Sequence, residues 1–341
     1  MDINIFDTVC FSGGGLNGLG LIGVIDYYVK NKLIKIKKIN NWIGTSVGAV
    51  LSFLYVLGYK TCEINDFVIN FNFKKLIPEP TIDNLLGDFG IDKGSKIIII
   101  LIKFLKTKLN KSDITFIELF ELTNKFYCII GTNFTKSCER AFNYKQTPNM
   151  SVITAIRISI SVPFIFTPVK FENDFYIDGA FVNNFPINYC NLKTTLGIYI
   201  KSNTDNNITS IFDLMSGCCN VVNTTITEKN NINCNFNIIK LEHCATKFVN
   251  FDLDKDIKQQ IINSGFEKAK QHIELITVQI ANDIINNIID NIIDKSIQTN
   301  ENIINDKYTQ TNENIINDKY TQTDENIINE NIINDKYTQT D

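Results

Sequence analysis

A serine set between glycines, Gly44-Thr45-Ser46-Val47-Gly48, offers the sharpest chemistry in this chain. A G-x-S-x-G pattern on a strand-to-helix turn forces the serine hydroxyl outward from a strained backbone, and the flanking glycines, here Gly44 and Gly48, let neighbouring chain come close. The amides opening the next helix favour negative charge developing beside the hydroxyl. A serine nucleophile needs a base to take its proton. The chain has only two histidines, His243 and His272, both late and outside any recognisable motif. Asp178, in Asp178-Gly179-Ala180, is a carboxylate that can replace histidine if it reaches Ser46 directly, although an Asp-Gly pair at a strand end also reads as a plain turn.

A second cluster precedes the serine. Six of the chain's 17 glycines fall between Gly13 and Gly23, beginning with Ser12-Gly13-Gly14-Gly15-Leu16-Asn17-Gly18. Consecutive glycines leave backbone N–H groups open to a ligand. One reading is an oxyanion hole for the charge formed when serine attacks a carbonyl. The other is a dinucleotide fingerprint, because Gly13, Gly15 and Gly18 satisfy G-x-G-x-x-G. That fingerprint expects an acid about 20 residues on, whereas residues 30–48 contain neither Asp nor Glu.

The elements around these motifs follow from patterning. Phe6–Phe11 reads as a buried strand and Leu19–Val29 as a helix. Ile39–Ile43 reads as a second strand running into Ser46, with Ala49–Leu57 as an apolar helix. Strand, tight turn and helix thus occur twice in under sixty residues, the rhythm of an α/β fold with a parallel sheet. Further on, Ser95–Leu109, Thr115–Leu122 and Ser151–Ile158 read as helices. Phe126–Gly131, Glu139–Tyr144 and Phe175–Ile177 read as strands, Leu196–Ile200 as the last sheet strand and Asp254–Ile276 as a terminal helix. The apolar run Ile97–Leu105 suits either a membrane-facing lip or core packing.

These motifs occur in an order that resembles the patatin-like phospholipases. The matching residues are FSGGGLNG (Phe11 to Gly18), GTSVGA (Gly44 to Ala49) and DGA (Asp178 to Ala180). Pro163, Phe166-Thr167-Pro168-Val169 and Asn184-Phe185-Pro186 support them, and the resemblance spans roughly residues 5–200. It implies a three-layer α/β/α fold with a mostly parallel central sheet. It also implies a phospholipase A-like lipid acyl hydrolase, with Ser46 as nucleophile, Asp178 as base and no metal or cofactor. The amides of Gly13, Gly14 and Gly15 are then the oxyanion hole, with Gly18 and Gly179 as supporting motif positions. The chain departs from the family at Asn17, where a basic residue is common. Two rivals stay open: a Ser46–Asp178–His243 triad esterase of the α/β-hydrolase kind, and a non-catalytic lipid-binding or scaffold protein on a hydrolase fold.

Composition bounds the partners. The chain has 341 residues, 44% hydrophobic and 21% charged, with a net charge of −4, enough to bury a large core. The acidic balance argues against a nucleic-acid partner held by bulk charge. Nine cysteines without framework spacing read as reduced thiols in a cytoplasmic compartment. Cys218, Cys219, Cys234, His243 and Cys244 lack the paired spacing of structural zinc sites. Met1–Asp7 lacks the features of a signal peptide, so the expectation is a soluble protein able to work peripherally at a lipid surface. An acyl hydrolase domain is expected over 1–280. Residues 281–341 form a repeat tail, with ENIINDKYTQTN at Glu301–Asn312 and near copies at Glu313–Asp324 and Glu330–Asp341. Each unit carries too few apolar residues to fold alone, so the tail is expected to be disordered or loosely helical, and a candidate multivalent segment for an unknown protein partner.

Overall fold

The computed structural model describes residues 6–76, 87, 89–201, 214, 217–218, 221–222, 237–242 and 251–335. The chain divides into two compact units, Met1–Glu274 and Leu275–Asp341.

In the first unit, β1 (Thr8–Phe11) leads through a 3-10 turn into α1 (Leu19–Lys30), and β2 (Asn41–Thr45) leads into α2 (Val47–Val56) and α3 (Thr61–Asn70). The chain continues through β3 (Gly90–Asp92), α4 (Ser95–Leu109), α5 (Phe116–Thr123), β4 (Phe126–Asn133), β5 (Cys138–Phe142) and α6 (Val152–Ser159). Then come β6 (Phe164–Phe166), β7 (Val169–Phe171), β8 (Asp174–Asp178), β9 (Thr195–Lys201), β10 (Ile238–Glu242) and α7 (Lys255–Asp335).

The main sheet runs β10-β9-β1-β2-β4-β8-β7, with β5 also on β4. The five strands from β10 to β4 are mutually parallel, while β5, β8 and β7 join antiparallel. Period-2 alternation sends successive side chains to opposite faces. Val9, Phe11, Trp42, Tyr127 and Ile129 enter the larger apolar cluster, which also takes residues of α1, α2 and α6. Cys10, Ile43, Cys128 and Ile130 point the other way, into a smaller cluster with Ala141, Phe185 and Ile187. The central strands β1, β2 and β4 are therefore covered on both faces, as parallel sheets require.

Two expectations change. Leu196–Ile200 is not the last sheet strand, because β10 adds outside β9 in parallel register, Ile239 opposite Ile198. The terminal helix expected over Asp254–Ile276 runs on to Asp335. Its first turns pack on α1 at glycines, where a Cβ on Gly23 would lie 1.9 Å from the carbonyl oxygen of Ile262 and one on Gly265 2.0 Å from that of Gly20. Buried Lys258 donates to the carbonyls of Ile69 and Phe71 at 3.2 and 2.6 Å, satisfying acceptors that the end of α3 leaves open.

The second unit is helical through Asp335. The repeat isoleucines Ile292, Ile293, Ile303 and Ile304 are exposed. Among the described residues no helix is long and apolar enough to cross a membrane.

Candidate active site

Ser46 stands at the C-terminal end of β2, one residue before α2. Its backbone sits at φ 54 and ψ −125, a conformation that side-chain-bearing residues avoid. Such strain costs on the order of 1–3 kcal/mol and persists only where surrounding structure enforces it. Here the enforcement is close packing of the turn. A Cβ on Gly44 would lie 2.5 Å from the backbone of Gly48, and one on Gly48 would lie 2.6 Å from the carbonyl oxygen of Ser12. Thr45 Oγ1 donates to the carbonyl of Asn183 at 2.9 Å. The Ser46 hydroxyl makes no cap bond to its own helix; it donates to Asp178 Oδ2 at 2.7 Å.

Asp178 closes β8, directly opposite Gly131 of β4. Its amide donates to the carbonyl of Ser161 at 2.9 Å, and its carbonyl accepts from Thr132 Oγ1 at 2.8 Å. The carboxylate therefore hangs from a backbone held on both sides. Oδ1 accepts from the Ala180 amide at 2.8 Å, capping the 3-10 turn Gly179–Phe181. Gly179 must be small, since a Cβ there would lie 2.3 Å from the carbonyl oxygen of Ile130. Asp178 is 1% exposed. Burial pushes its carboxyl up to about 7, opposed by the Ala180 amide and the Ser46 hydroxyl, which favour the charged form. A carboxyl with that value exchanges protons readily near neutral pH.

A further hydroxyl of the site has no motif of its own. Ser159, at the end of α6, is fully buried. Its Oγ accepts the Ser46 amide at 2.8 Å and donates to the carbonyl of Ile130 at 2.6 Å. It thus ties the strained turn to β4. Two positions earlier, buried Arg157 donates to the carbonyls of Lys93 and Thr167, both at 2.9 Å, and to Ser161 Oγ. The available signal was the run Ile158-Ser159-Ile160-Ser161 before Pro163, where hydroxyls interrupt an apolar segment.

The glycine loop lies against the serine. A Cβ on Gly13 would come within 3.2 Å of Ser46 Cβ, and one on Gly18 within 2.6 Å of Val47. Ser12 Oγ pins the loop, accepting from the Ile200 amide and donating to the carbonyl of Gly13, each at 2.9 Å. The three glycine amides are not equivalent. That of Gly13 donates to the carbonyl of Asn184 at 3.0 Å. Gly14 and Gly15 open the 3-10 turn Gly15–Gly18, with Gly15 at φ 55, where first-turn amides lack intrahelical acceptors. Asn17 is buried in that turn. Ser46, Asp178, Gly13, Gly14, Gly15, Gly18, Gly44, Gly48 and Gly179 thus converge on one place. His243, Cys219, Cys234 and Cys244 lie outside the described residues.

From Ser46 an apolar cavity of about 180 Å³ extends under α3 and α4. Its walls include Val50 and Leu54 of α2, Phe67 of α3, Ile100 and Phe104 of α4, and Ile165 of β6. Aromatic contacts hold the roof together. Phe104 meets Phe67 and Tyr59 edge-on at ring-centroid distances of 4.8 and 5.1 Å, and the Tyr59 hydroxyl donates to the carbonyl of Phe104 at 3.0 Å.

Comparison with known proteins decides the family. The model of the patatin-like phospholipase family matches residues 9–190, over half of the chain. The chain belongs to the patatin-like phospholipase family. Its relatives include the probable lipid hydrolase 463L of Invertebrate iridescent virus 6, 35% identical over 188 residues. That match covers 53% of this chain and 62% of the relative. An uncharacterised protein of Acanthamoeba polyphaga mimivirus, R571, is 26% identical over 281 residues, covering 78% of this chain and 93% of its own length. Among solved structures, VipD from Legionella pneumophila superposes with a TM-score of 0.60 at 14% identity, over 79% of this chain and 67% of VipD. That likeness concerns the fold. In this patatin-like chain, no group of three His, Cys, Asp or Glu side chains among the described residues is arranged to hold a metal ion.

Proposed function

We propose that this chain hydrolyses carboxylic ester bonds of phospholipids or related acyl lipids through a Ser46–Asp178 dyad. The observation that carries this reading is the 2.7 Å hydrogen bond from Ser46 Oγ to Asp178 Oδ2 at the mouth of an apolar cavity. In the first step Ser46 Oγ attacks the ester carbonyl carbon while Asp178 takes the hydroxyl proton. The oxyanion is met by the Gly14 and Gly15 amides and the positive end of α2. The Gly13 amide, which donates to Asn184, acts by fixing the loop. The tetrahedral intermediate collapses, the C–O bond to the leaving alcohol breaks, and Asp178 returns the proton to that alcohol. In the second step Asp178 deprotonates a water that attacks the acyl-serine. The fatty acid leaves and the proton returns to Ser46.

The acyl chain occupies the cavity under α3 and α4, whose lining carries no charged side chain among the described residues. The headgroup side of the ester stays outside. This assignment places substrate selection in the roof and bond breaking in the floor.

The test is hydrolysis of a chromogenic acyl ester, and then of phosphatidylcholine, with a chelator present. Wild type is compared with Ser46→Ala and His243→Ala. Turnover lost in Ser46→Ala and retained in His243→Ala is the expected result. Loss in both variants identifies a triad instead, and absence of turnover in folded wild type supports a lipid-binding protein.

A further inference from the structure

Helix α4 roofs the cavity with one face and turns a different chemistry outward. Ile97, Ile100, Leu101 and Phe104 line the cavity. Lys96, Ile99, Lys103 and Lys106 recur at three- and four-residue spacing on the opposite side, and all four are exposed, Ile99 at 52%. The helix carries four lysines and no carboxylate between Ser95 and Leu109. Lys108, at its end, pairs with Glu63 at 3.2 Å. Among the described residues, Lys96, Lys103 and Lys106 have no carboxylate partner; Lys96 donates to the carbonyl of Lys75 at 2.7 Å. Just before the helix, β3 pairs with β6 so that Gly90 lies opposite Phe164. Phe164 and neighbouring Phe89 are 38% and 69% exposed, and both hold left-handed backbone, φ 67 and φ 58.

A basic helix with an apolar inner face, preceded by a strand pair that carries exposed aromatic side chains, has the composition of an interfacial element. An ordinary surface helix would mix both signs of charge. We infer that the outer face of α4, with Phe89 and Phe164 beside it, is the surface on which the protein rests against an anionic lipid bilayer, so that the cavity roof and the membrane share one helix. The inference rests on the acyl-hydrolase reading, because that reading gives the cavity a lipid occupant. The charge of the three lysines fixes the occupant of the face as anionic headgroups. A purely apolar partner would leave them without counter-charge, whereas a bilayer supplies phosphate and carboxylate next to hydrocarbon into which Ile99 and the two phenylalanines insert.

The experiment uses the full chain carrying Ser46→Ala, so that lipid is bound and not consumed. Binding is measured by flotation with vesicles of phosphatidylcholine alone and of phosphatidylcholine mixed with phosphatidylserine. Binding only to the mixed vesicles, weakening as salt rises, is expected. Lys103→Glu with Lys106→Glu should weaken that binding by about thirtyfold or more, given the usual contribution of each basic residue near such a surface. Ile99→Ser should weaken it several-fold while leaving the salt dependence unchanged. Melting temperatures of the variants confirm folding. Equal binding to both vesicle types, indifference to charge reversal, or no vesicle binding would each overturn the inference. Turnover of a soluble ester by the wild type is scored separately. Turnover without vesicle binding sinks the surface alone; vesicle binding without turnover sinks the hydrolase reading.

Discussion

The floor and the roof of the cavity are held by different forces. The floor is a set of short hydrogen bonds between buried groups: Ser46 to Asp178, the Ser46 amide to Ser159, Ser159 to Ile130, and Thr132 to Asp178. Each has a direction, and in the proposed mechanism each fixes a reacting atom or supports a group that does. The roof is mostly side-chain packing without direction, Phe67, Phe104 and Tyr59 meeting edge to face. Its polar ties run mostly at the ends and outer side of the helices, among them Arg157 to the carbonyls of Lys93 and Thr167, Lys108 to Glu63, and Lys258 to the carbonyls that end α3. Hydrogen bonds impose geometry to within fractions of an ångström, whereas apolar packing tolerates volume-conserving change. The difference teaches where chemistry and selectivity reside: floor substitutions should act on kcat, and roof substitutions on which lipid is accepted.

After Ser46→Ala itself, the largest effect should come from Asp178→Asn. Loss of the base should lower kcat by about 10³–10⁴-fold, nearly as much as loss of Ser46, because the two act as a unit. In the wild type the rate should rise with pH through about 7, since only the ionised carboxylate takes the proton. Folding stability should run the opposite way. A carboxyl raised by burial binds its proton more tightly in the folded state, so stability falls as pH rises from about 4 to 7. Asp178→Asn removes that dependence, and its melting temperature should exceed that of the wild type at pH 8. A variant that melts lower at pH 8, or a wild-type rate flat across neutral pH, would sink the buried-base assignment.

Next in size is Ser159→Ala. The substitution removes the acceptor for the Ser46 amide and frees the turn to shift. A misplacement of about 1 Å costs about a hundredfold. The expected loss therefore lies in kcat, with KM little changed and Ser46 still reactive toward a small acylating reagent. A pure KM effect would put Ser159 in the roof's category and erase the contrast between floor and roof.

Smallest should be Phe104→Ala, which opens the roof without touching the floor. Hydrolysis of a long-chain ester should lose about tenfold in kcat/KM, while a short-chain ester that leaves this part of the cavity empty is hydrolysed as before. Equal losses on both substrates would mean that the cavity does not hold the acyl chain.

Much of the floor was legible in the sequence because its motifs are local. Gly44-Thr45-Ser46-Val47-Gly48 carries the strand, the strained turn and the helix start within a few residues, and β1 and β2 were readable as two copies of one pattern. The glycine cluster is continuous in the chain, yet it serves two devices. Gly13, Gly14, Gly15 and Gly18 belong to the loop against Ser46, whereas Gly20 and Gly23 let α1 approach the helix that begins at Lys255. That division depends on a partner more than two hundred residues away. Ser159 was invisible for the same reason: its hydrogen bond to Ser46 spans 113 residues, and nothing around it in the chain announces the contact. Strand β10 escaped because it follows a polar, Asn-rich stretch and owes its place to β9. Helix α3 has a weak sequence signal because its apolar positions Ile64, Phe67 and Val68 sit among polar residues, a pattern that gains meaning only once a cavity lies beneath it.

The position of β9 has a consequence for dissecting the protein. The family match stops at residue 190, but β1, which delivers the glycine loop, is flanked by β2 on one side and by β9, Thr195–Lys201, on the other. A fragment ending at residue 190 would leave β1 as an edge strand, its outer N–H and C=O groups unpaired and open to aggregation. It would also lose the Ile200 amide that fixes Ser12, and the Lys258 side chain that closes α3. The compact unit that holds Ser46 and Asp178 therefore extends well past the recognisable motifs, through the first turns of α7 to Glu274. Boundaries drawn from sequence similarity alone would strip β9 and β10 from the sheet and leave the glycine loop on an unprotected edge.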